Sequence, residues 1–335
     1  MTSSVQPKST TCWKHKKMTE ASLKTTAPDR DRHDRLKDAV STVNQIVMGK
    51  DQQVKLAFSC LLARGHLLIE DLPGVGKTTL AHALAAVIGV RYQRIQFTSD
   101  LLPADILGVS IYRRDQEKFE FHPGPIFSQL VLADEINRAT PKSQSALLEA
   151  MAEGQVTIEG ETHTLPKPFF VIATQNPLDL GGTFPLPDSQ LDRFLLSISL
   201  GFPEPEVERE LLTARDRVLV LDDTKAIISP DDVLLLSEDC KQIHVSHALL
   251  DYIQALLAGT RNSRWFETGL SPRAGIAMLA CCKAYAFLEG RDFAIPEDVK
   301  AIFPGLARHR MSVPHGMETS VKEQIQDLLD QVAIP

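Results

Sequence analysis

The sequence predicts an α/β fold, a parallel sheet flanked by helices, followed by a small all-α domain. Three observations lead there. From about Asp34 to Phe202 short apolar runs alternate with helical patterns, as expected for strands joined by crossover helices. Polar residues suited to ligand chemistry fall at the ends of those runs, where open parallel sheets bind their ligands. Beyond Pro203 and Pro205 the apolar period becomes helical nearly throughout.

The elements follow in chain order. Residues 1–35 read as a disordered basic tail. Up to Pro28 they carry Lys8, Lys14, Lys16, Lys17 and Lys24 against Glu20 alone, and no apolar signal segment follows. Met18 within this stretch allows a shorter translation product. Residues 36–202 form the α/β domain. His66 to Glu70 (HLLIE) is its first strand, followed by a glycine-rich turn and a helix from Lys77 to about Val87. Arg94 to Thr98, Leu130 to Asp134, Phe170 to Thr174 and Phe194 to Leu200 are the further strands. Residues 203–335 form the helical domain. There Ala248, Leu249, Tyr252, Ile253, Leu256 and Leu257 make a stripe at helix spacing. Ser271-Pro272 opens another helix, whose buried face is expected to hold Ile276, Leu279, Ala280, Ala284 and Phe287.

Composition excludes several classes. Apolar residues make up 43% and charged residues 24% of 335, which rules out a largely disordered chain or a small disulfide scaffold. A balance of 36 basic against 43 acidic residues, net −7, lacks the basic footprint of a chain that lives on nucleic acid. No stretch reaches the ~18 uninterrupted apolar residues of a membrane span. Cys12, Cys60, Cys240, Cys281 and Cys282 show no CxxC spacing, so a reducing, cytoplasmic compartment is expected.

The strongest chemical signal is Asp71-Leu72-Pro73-Gly74-Val75-Gly76-Lys77-Thr78, set between a strand and a helix. Glycines at 74 and 76 let backbone N–H groups close around a phosphate, and the helix N-terminus adds its partial positive charge. Lys77 can reach the β- and γ-phosphates of a nucleotide, and the Thr78 hydroxyl can hold Mg²⁺. The loop begins with Asp71 where the general P-loop has glycine. Downstream, the strand Leu130 to Asp134 ends in two carboxylates. Asp134 suits the surroundings of Mg²⁺, and Glu135 suits activation of a water attacking the γ-phosphate. Asn176 follows another apolar strand and can orient that water without adding charge. Arg193, just before a strand, can stabilise charge on transferring phosphoryl oxygens. Arg273, in the first turn after Ser271-Pro272, is placed for a helical domain to present to a nucleotide.

In that order these residues resemble Walker A, Walker B, sensor 1, arginine finger and sensor 2 of an AAA+ ATPase. The finer stretches Glu70 to Thr78, Gln96 to Asp105 (QFTSDLLPAD), Ala133 to Ala139 (ADEINRA), Ala173 to Pro177 (ATQNP), Leu191 to Phe194 (LDRF) and Ser271 to Gly275 (SPRAG) resemble the MoxR family. The resemblance spans residues 36 to 333, and Asp71 agrees with the family's own loop. It implies ATP with Mg²⁺, contacted by residues Leu72 to Thr79, and Val47-Met48-Gly49 beside the adenine. It also implies an oligomeric ring, usually a hexamer, with chaperone-like remodelling of protein clients and partners carrying a von Willebrand factor A domain.

Two insertions fit that clade: Gly108 to Pro125, with Tyr112, Phe119 and Phe121, and a hairpin near Gln155 to Leu165. Either a ring's pore or the outer surface is open to them. Cys281-Cys282 reads as helix core. His244, His247 and Asp251 lie three and four apart, but Ser246 reads as the helix N-cap and leaves His244 outside, so no metal beyond Mg²⁺ is expected. Other readings share the same residues. A magnesium-chelatase-type motor subunit is the nearest. A DNA-directed motor is disfavoured by the charge and by the lack of a helix-turn-helix. A small-molecule phosphotransferase needs an acceptor pocket, whereas Glu135 and two arginines suit water.

Overall fold

The computed structural model describes residues 30–177, 181–213, 221, 224–263, 265–313 and 320–334; the expected tail up to residue 29, with Cys12 and Met18, lies outside them. Five strands form one sheet: β1 (Leu67–Glu70), β2 (Tyr92–Gln96), β5 (Leu130–Asp134), β8 (Phe170–Gln175) and β9 (Leu196–Ile198). Their order is β2-β5-β8-β1-β9, and every pairing is parallel. These are the five strands expected, with shifted ends. β2 stops at Gln96, because the chain turns at Thr98 to Leu101, and β9 starts only at Leu196, because Arg193 and Phe194 close a helical turn on Gln190 and Leu191.

Both faces of the sheet are covered, which is why its strands read as continuous apolar runs. Side chains alternate between two cores. Leu67, Ile69, Leu130, Leu132, Ile172, Leu196 and Ile198 pack with α1 (Arg30–Ile46), α2 (Asp51–Leu62) and α3 (Lys77–Ile88). Leu68, Val131, Ala133, Val171 and Ala173 pack on the other face with α4 (Pro103–Leu107) and α5 (Pro141–Glu153). Helix α1 begins six residues ahead of the domain start expected at residue 36. Two ion pairs hold its first turns to α8 (Pro230–Lys241): Arg35 with Asp232 at 2.9 Å and Arg32 with Asp239 at 4.0 Å.

Two hairpins project from the α/β part. β6 (Gln155–Ile158) and β7 (Glu161–Thr164) are the pair the alternation predicts. The Gly108 insertion, for which no element is predicted, is also a hairpin, β3 (Gly108–Arg113) on β4 (Lys118–Pro123). Glycine is needed at its base: Gly108 has φ +102, and a Cβ there would lie 2.3 Å from the His122 carbonyl oxygen. Tyr112 and Phe119 pair across it, 5.3 Å between ring centroids, and both are exposed.

After α6 (Asp188–Leu191) and α7 (Pro205–Thr213) the chain is helical: α8, α9 (His247–Asn262), α10 (Pro272–Leu288), α11 (Pro296–Ala307) and α12 (Val321–Gln331). The caps fall where expected, the Ser246 hydroxyl accepting from Leu249 N and the Ser271 hydroxyl from Ala274 N. His244 therefore stands outside its helix. Cys281 and Cys282 are fully buried, as is Cys60, and burial raises all three thiols. Ile276 departs from expectation: it is 73% exposed, because Ala274, Met278 and Cys281 form the face that α10 turns inward. The helical part sits on the sheet. In α11 the Cβ position of Gly305 is 3.1 Å from the Ser197 carbonyl oxygen, so helix and edge strand approach closely. Among the described residues no helix is long and apolar enough to cross a membrane.

His66 seals the amino end of the sheet. Its Nδ1 accepts from Val171 N at 3.1 Å, and its Nε2 donates to the Met151 carbonyl at 3.3 Å. Burial pushes its pKa down to about 4. A base whose folded pKa lies below its unfolded value of ~6.5 contributes stability above that value and loses it as pH falls toward the folded pKa. The His66→Gln variant should therefore be less stable near neutral pH and lose less than wild type on acidification toward about pH 4.5. Thermal melts showing the same pH slope in both proteins would remove His66 as the titrating group.

Candidate functional site

Parallel strands carry their carboxyl ends on one edge, and at that edge β1, β8 and β5 lie side by side. The loop after β1 runs from Asp71 to Gly76, and α3 starts at Lys77. Gly74 has φ +84 and Gly76 φ +97, left-handed values that side chains resist. Gly76 is the N-cap of α3, with no side-chain hydrogen bond over the helix start, so the positive end of the helix faces the loop. Val75 packs on the core below; Thr78 is exposed and Thr79 half-buried in the first turn of α3, while Leu72 is half-buried and Pro73 exposed. The Lys77 ammonium donates to the carbonyls of Asp71 (2.7 Å) and Leu72 (3.1 Å). Burial lowers its pKa, against the opposing pull of Asp71, Asp134 and Glu135. All three carboxylates come from the same edge of the sheet.

Asp71, where a general P-loop carries glycine, is buried and acts as a tie. Its Oδ2 accepts from Leu200 N (2.5 Å), Gly201 N (2.7 Å) and the Ser199 hydroxyl (3.0 Å), and its Oδ1 accepts from Leu72 N (2.9 Å). Burial works against the charge, but the donors of Gly201, Leu72, Ser199 and Leu200 prevail and hold the carboxyl below the usual aspartate range. The loop is thus locked to the chain leaving β9. That chain continues to Phe202, whose carbonyl accepts from the Lys50 ammonium, and to Val207, 3.2 Å from the Cβ position of Gly49. Val47, Met48 and Gly49, in the turn between α1 and α2, are brought in this way to the same side as the loop; Val47 is buried and Met48 half-buried.

Asp134 ends β5, buried. Its Oδ1 accepts from the Thr174 hydroxyl (2.6 Å), and its Oδ2 accepts from Arg94 Nε (3.1 Å) and Nη2 (2.6 Å). Glu135 follows with φ 56 and ψ 50, a left-handed conformation unusual for a non-glycine residue. Its N–H donates to Thr174 Oγ1 (2.9 Å), which fixes the turn and sends its carboxylate into the site. There Glu135 accepts from Gln96 Nε2 (2.8 Å) and pairs with Arg138 at 3.5 Å. Asn176 lies one residue past β8, half-buried between these two loops, and its carbonyl accepts from Asn137 Nδ2.

Two predicted residues are not brought to this loop. Leu195 N donates to the His66 carbonyl, so Arg193 sits at the amino edge of the sheet, five residues of strand or roughly 16 Å from Asp71. Its guanidinium donates to the Leu148 carbonyl at 2.6 Å. Arg273 is exposed in the first turn of α10, with no hydrogen bond or ion pair to the loop among the described residues. The far end of α10 is the end beside the start of α2, through Tyr285 to Gln52 (3.1 Å) and Lys55 to Glu289 (2.7 Å). Arg273 lies roughly 18 Å along the helix from Tyr285. Arg94, Gln96, Arg138 and Thr174 join the site without having been singled out in the sequence. Only the register, Ala133 beside Ala173, sets Thr174 against Asp134, and register is not legible in composition.

Similarity to known proteins agrees with this geometry. The family described as "ATPase family associated with various cellular activities (AAA)" matches residues 66–196, and the AAA lid domain matches residues 258–332. YeaC of Bacillus subtilis is 41% identical over 312 residues, 92% of this chain and 98% of that protein. Chaperone MoxR1 of Mycobacterium tuberculosis is 41% identical over 312 residues, 90% of this chain and 82% of its own. Protein MoxR of Paracoccus denitrificans is 30% identical over 327 residues, 90% of this chain and 95% of its own. A crystal structure from Cytophaga hutchinsonii superposes with a TM-score of 0.82 at 35% identity, covering 91% of this chain and 96% of that one. A P-loop, a paired carboxylate and an AAA lid, in a chain related to MoxR proteins over nearly its whole length, place this protein in the MoxR family of AAA+ ATPases.

Proposed function

We propose that the chain hydrolyses ATP to ADP and phosphate in a ring of identical subunits, and that the cycle remodels a protein partner. The observation that carries this is the convergence of Lys77, Asp134 and Glu135 at the carboxyl ends of β1 and β5. Lys77 and the free N-terminus of α3 take the β- and γ-phosphates, Lys77 exchanging the two loop carbonyls for phosphate oxygens. Val47, Met48 and Gly49 hold the adenine, and Leu72 to Thr79 wrap the phosphates. The donor set fits Mg²⁺: the exposed Thr78 hydroxyl would be one donor, and Asp134 Oδ1, with a single protein partner, keeps a lone pair for the ion's surroundings. Such an ion would supply neutralisation of phosphate charge. Glu135 accepts a proton from the attacking water, and Asn176 orients that water.

Arg193, at the opposite edge of the sheet from its own loop, is the cation this chain gives to the next, and Arg273 is the one the helical domain presents to a nucleotide. Placement supports a ring, usually a hexamer in this family, and the name chaperone MoxR1 supports a client. A partner with a von Willebrand factor A domain and a cytoplasmic setting complete the proposal.

Three variants test it. Lys77→Ala should weaken ATP binding by roughly ten- to hundredfold, the worth of charge-assisted hydrogen bonds; unchanged affinity in a titration would contradict the loop assignment. Glu135→Gln should bind ATP while turnover falls roughly 10²–10⁴-fold, and wild-type turnover would remove it from the mechanism. Rings of Arg193→Ala should also be nearly inactive, yet mixing them with Glu135→Gln should recover turnover, because one junction then holds an intact Glu135 and an intact Arg193. Inactive mixtures, with co-assembly confirmed by sedimentation, would rule out action on the neighbour.

A further inference from the structure

Arg310, three residues beyond α11, has its side chain only 6% exposed, and its guanidinium binds the segment that carries Arg193. Its Nε donates to Asp192 Oδ1 at 2.7 Å. Nη1 donates to the carbonyls of Leu195 (3.1 Å) and Leu306 (2.6 Å). Nη2 donates to the carbonyls of Phe194 (2.6 Å) and Asp192 (3.4 Å). Four of these five acceptors belong to residues 192–195. A buried guanidinium is costly unless its donors are satisfied, so it holds those acceptors in one arrangement. The residues on both sides of Arg193 are therefore fixed to the helical domain. His309 adds Nε2 to the Phe194 carbonyl at 3.0 Å. Arg308 reaches Glu70 Oε2 at 3.4 Å, beside the Ser197 hydroxyl at 2.6 Å, and Glu70 is the last residue before the P-loop.

We propose that Arg310 is a positioning residue that holds Asp192 to Leu195 so that Arg193 is presented to the neighbouring subunit's nucleotide, with Arg308 linking the same tripeptide to the strand that feeds the chain's own P-loop. This rests on the reading of Arg193 above. It gives the helical domain a physical hold on both a chain's own site and the one it completes next door. Among the described residues no hydrogen bond or ion pair of Arg310 reaches its own P-loop, so its loss is felt by the neighbour.

Arg310→Gln rings should bind ATP within about twofold of wild type while turnover falls roughly 10–100-fold, the cost of a misplaced catalytic group. Mixed rings separate this from damage at home. Arg310→Gln with Glu135→Gln should recover turnover, because the first keeps its own site and the second donates an intact Arg193. Arg310→Gln with Arg193→Ala should stay inactive, because both lack the same donated group. The reverse pattern, recovery only with Arg193→Ala, would place Arg310 at its own subunit's site and overturn the proposal, as would wild-type turnover of Arg310→Gln. Should Arg310→Gln fail to assemble, Asp192→Asn, which weakens the same pair from its half-buried partner, enters the same two mixtures with the same expected outcomes. Arg193→Ala with Glu135→Gln serves as control. If it recovers and the Arg310 mixture does not, the inference fails alone; if it too stays inactive, the Arg193 reading fails and takes this one with it.

Discussion

The site depends on strand direction. Because β5, β8 and β1 are adjacent and parallel, their carboxyl ends share one edge, and residues 71, 134 and 176, far apart in sequence, open into one space. One reversed strand would send its loop to the opposite edge. Parallel pairing is only stable with both faces covered, and the two cores supply that cover. The same geometry that gathers Lys77, Asp134 and Glu135 sends Arg193 to the far edge, because the residues before a parallel strand lie where those after it do not. A chain built this way holds the P-loop and its acids at one edge and Arg193 at the other.

Carboxylates outside the chemistry hold the frame. Glu70 accepts from Gln175 on β8 and Ser197 on β9 and pairs with Arg308. Asp71 gathers the backbone leaving β9. Two consecutive acids thus bind the base of the nucleotide loop to strands on either side and to the helical domain. Each is well supplied with donors, the condition under which a buried acid is tolerated.

Much of this was legible in the sequence. The strand–loop–helix pattern around Gly74, Gly76 and Lys77 carries its own mechanism, and alternating apolar runs located all five strands. Other features depend on contacts between distant residues. Asp71 reads as a missing glycine until Leu200 and Gly201 are beside it. Arg94 reads as one polar residue in a strand until register sets Gln96 across from Asp134 and leaves Arg94 two residues back on the same face, within reach of that carboxylate. Ile276 fits the helical period yet faces outward, since periodicity gives a stripe without saying which side meets the core. Arg273 likewise is correctly placed at a helix start, but which way that helix runs over α2 is a tertiary fact. The β3–β4 hairpin lacked a turn signal strong enough to announce it.

The left-handed backbone at Glu135 has a consequence for substitution at this position. A non-glycine residue held there costs of order 1 kcal/mol, which glycine would recover. Folding alone gains nothing from a side chain in this conformation, and the proposed role in hydrolysis accounts for its cost. On the proposed role, exchange of Glu135 for glycine would relieve the backbone and remove the proposed base in one step.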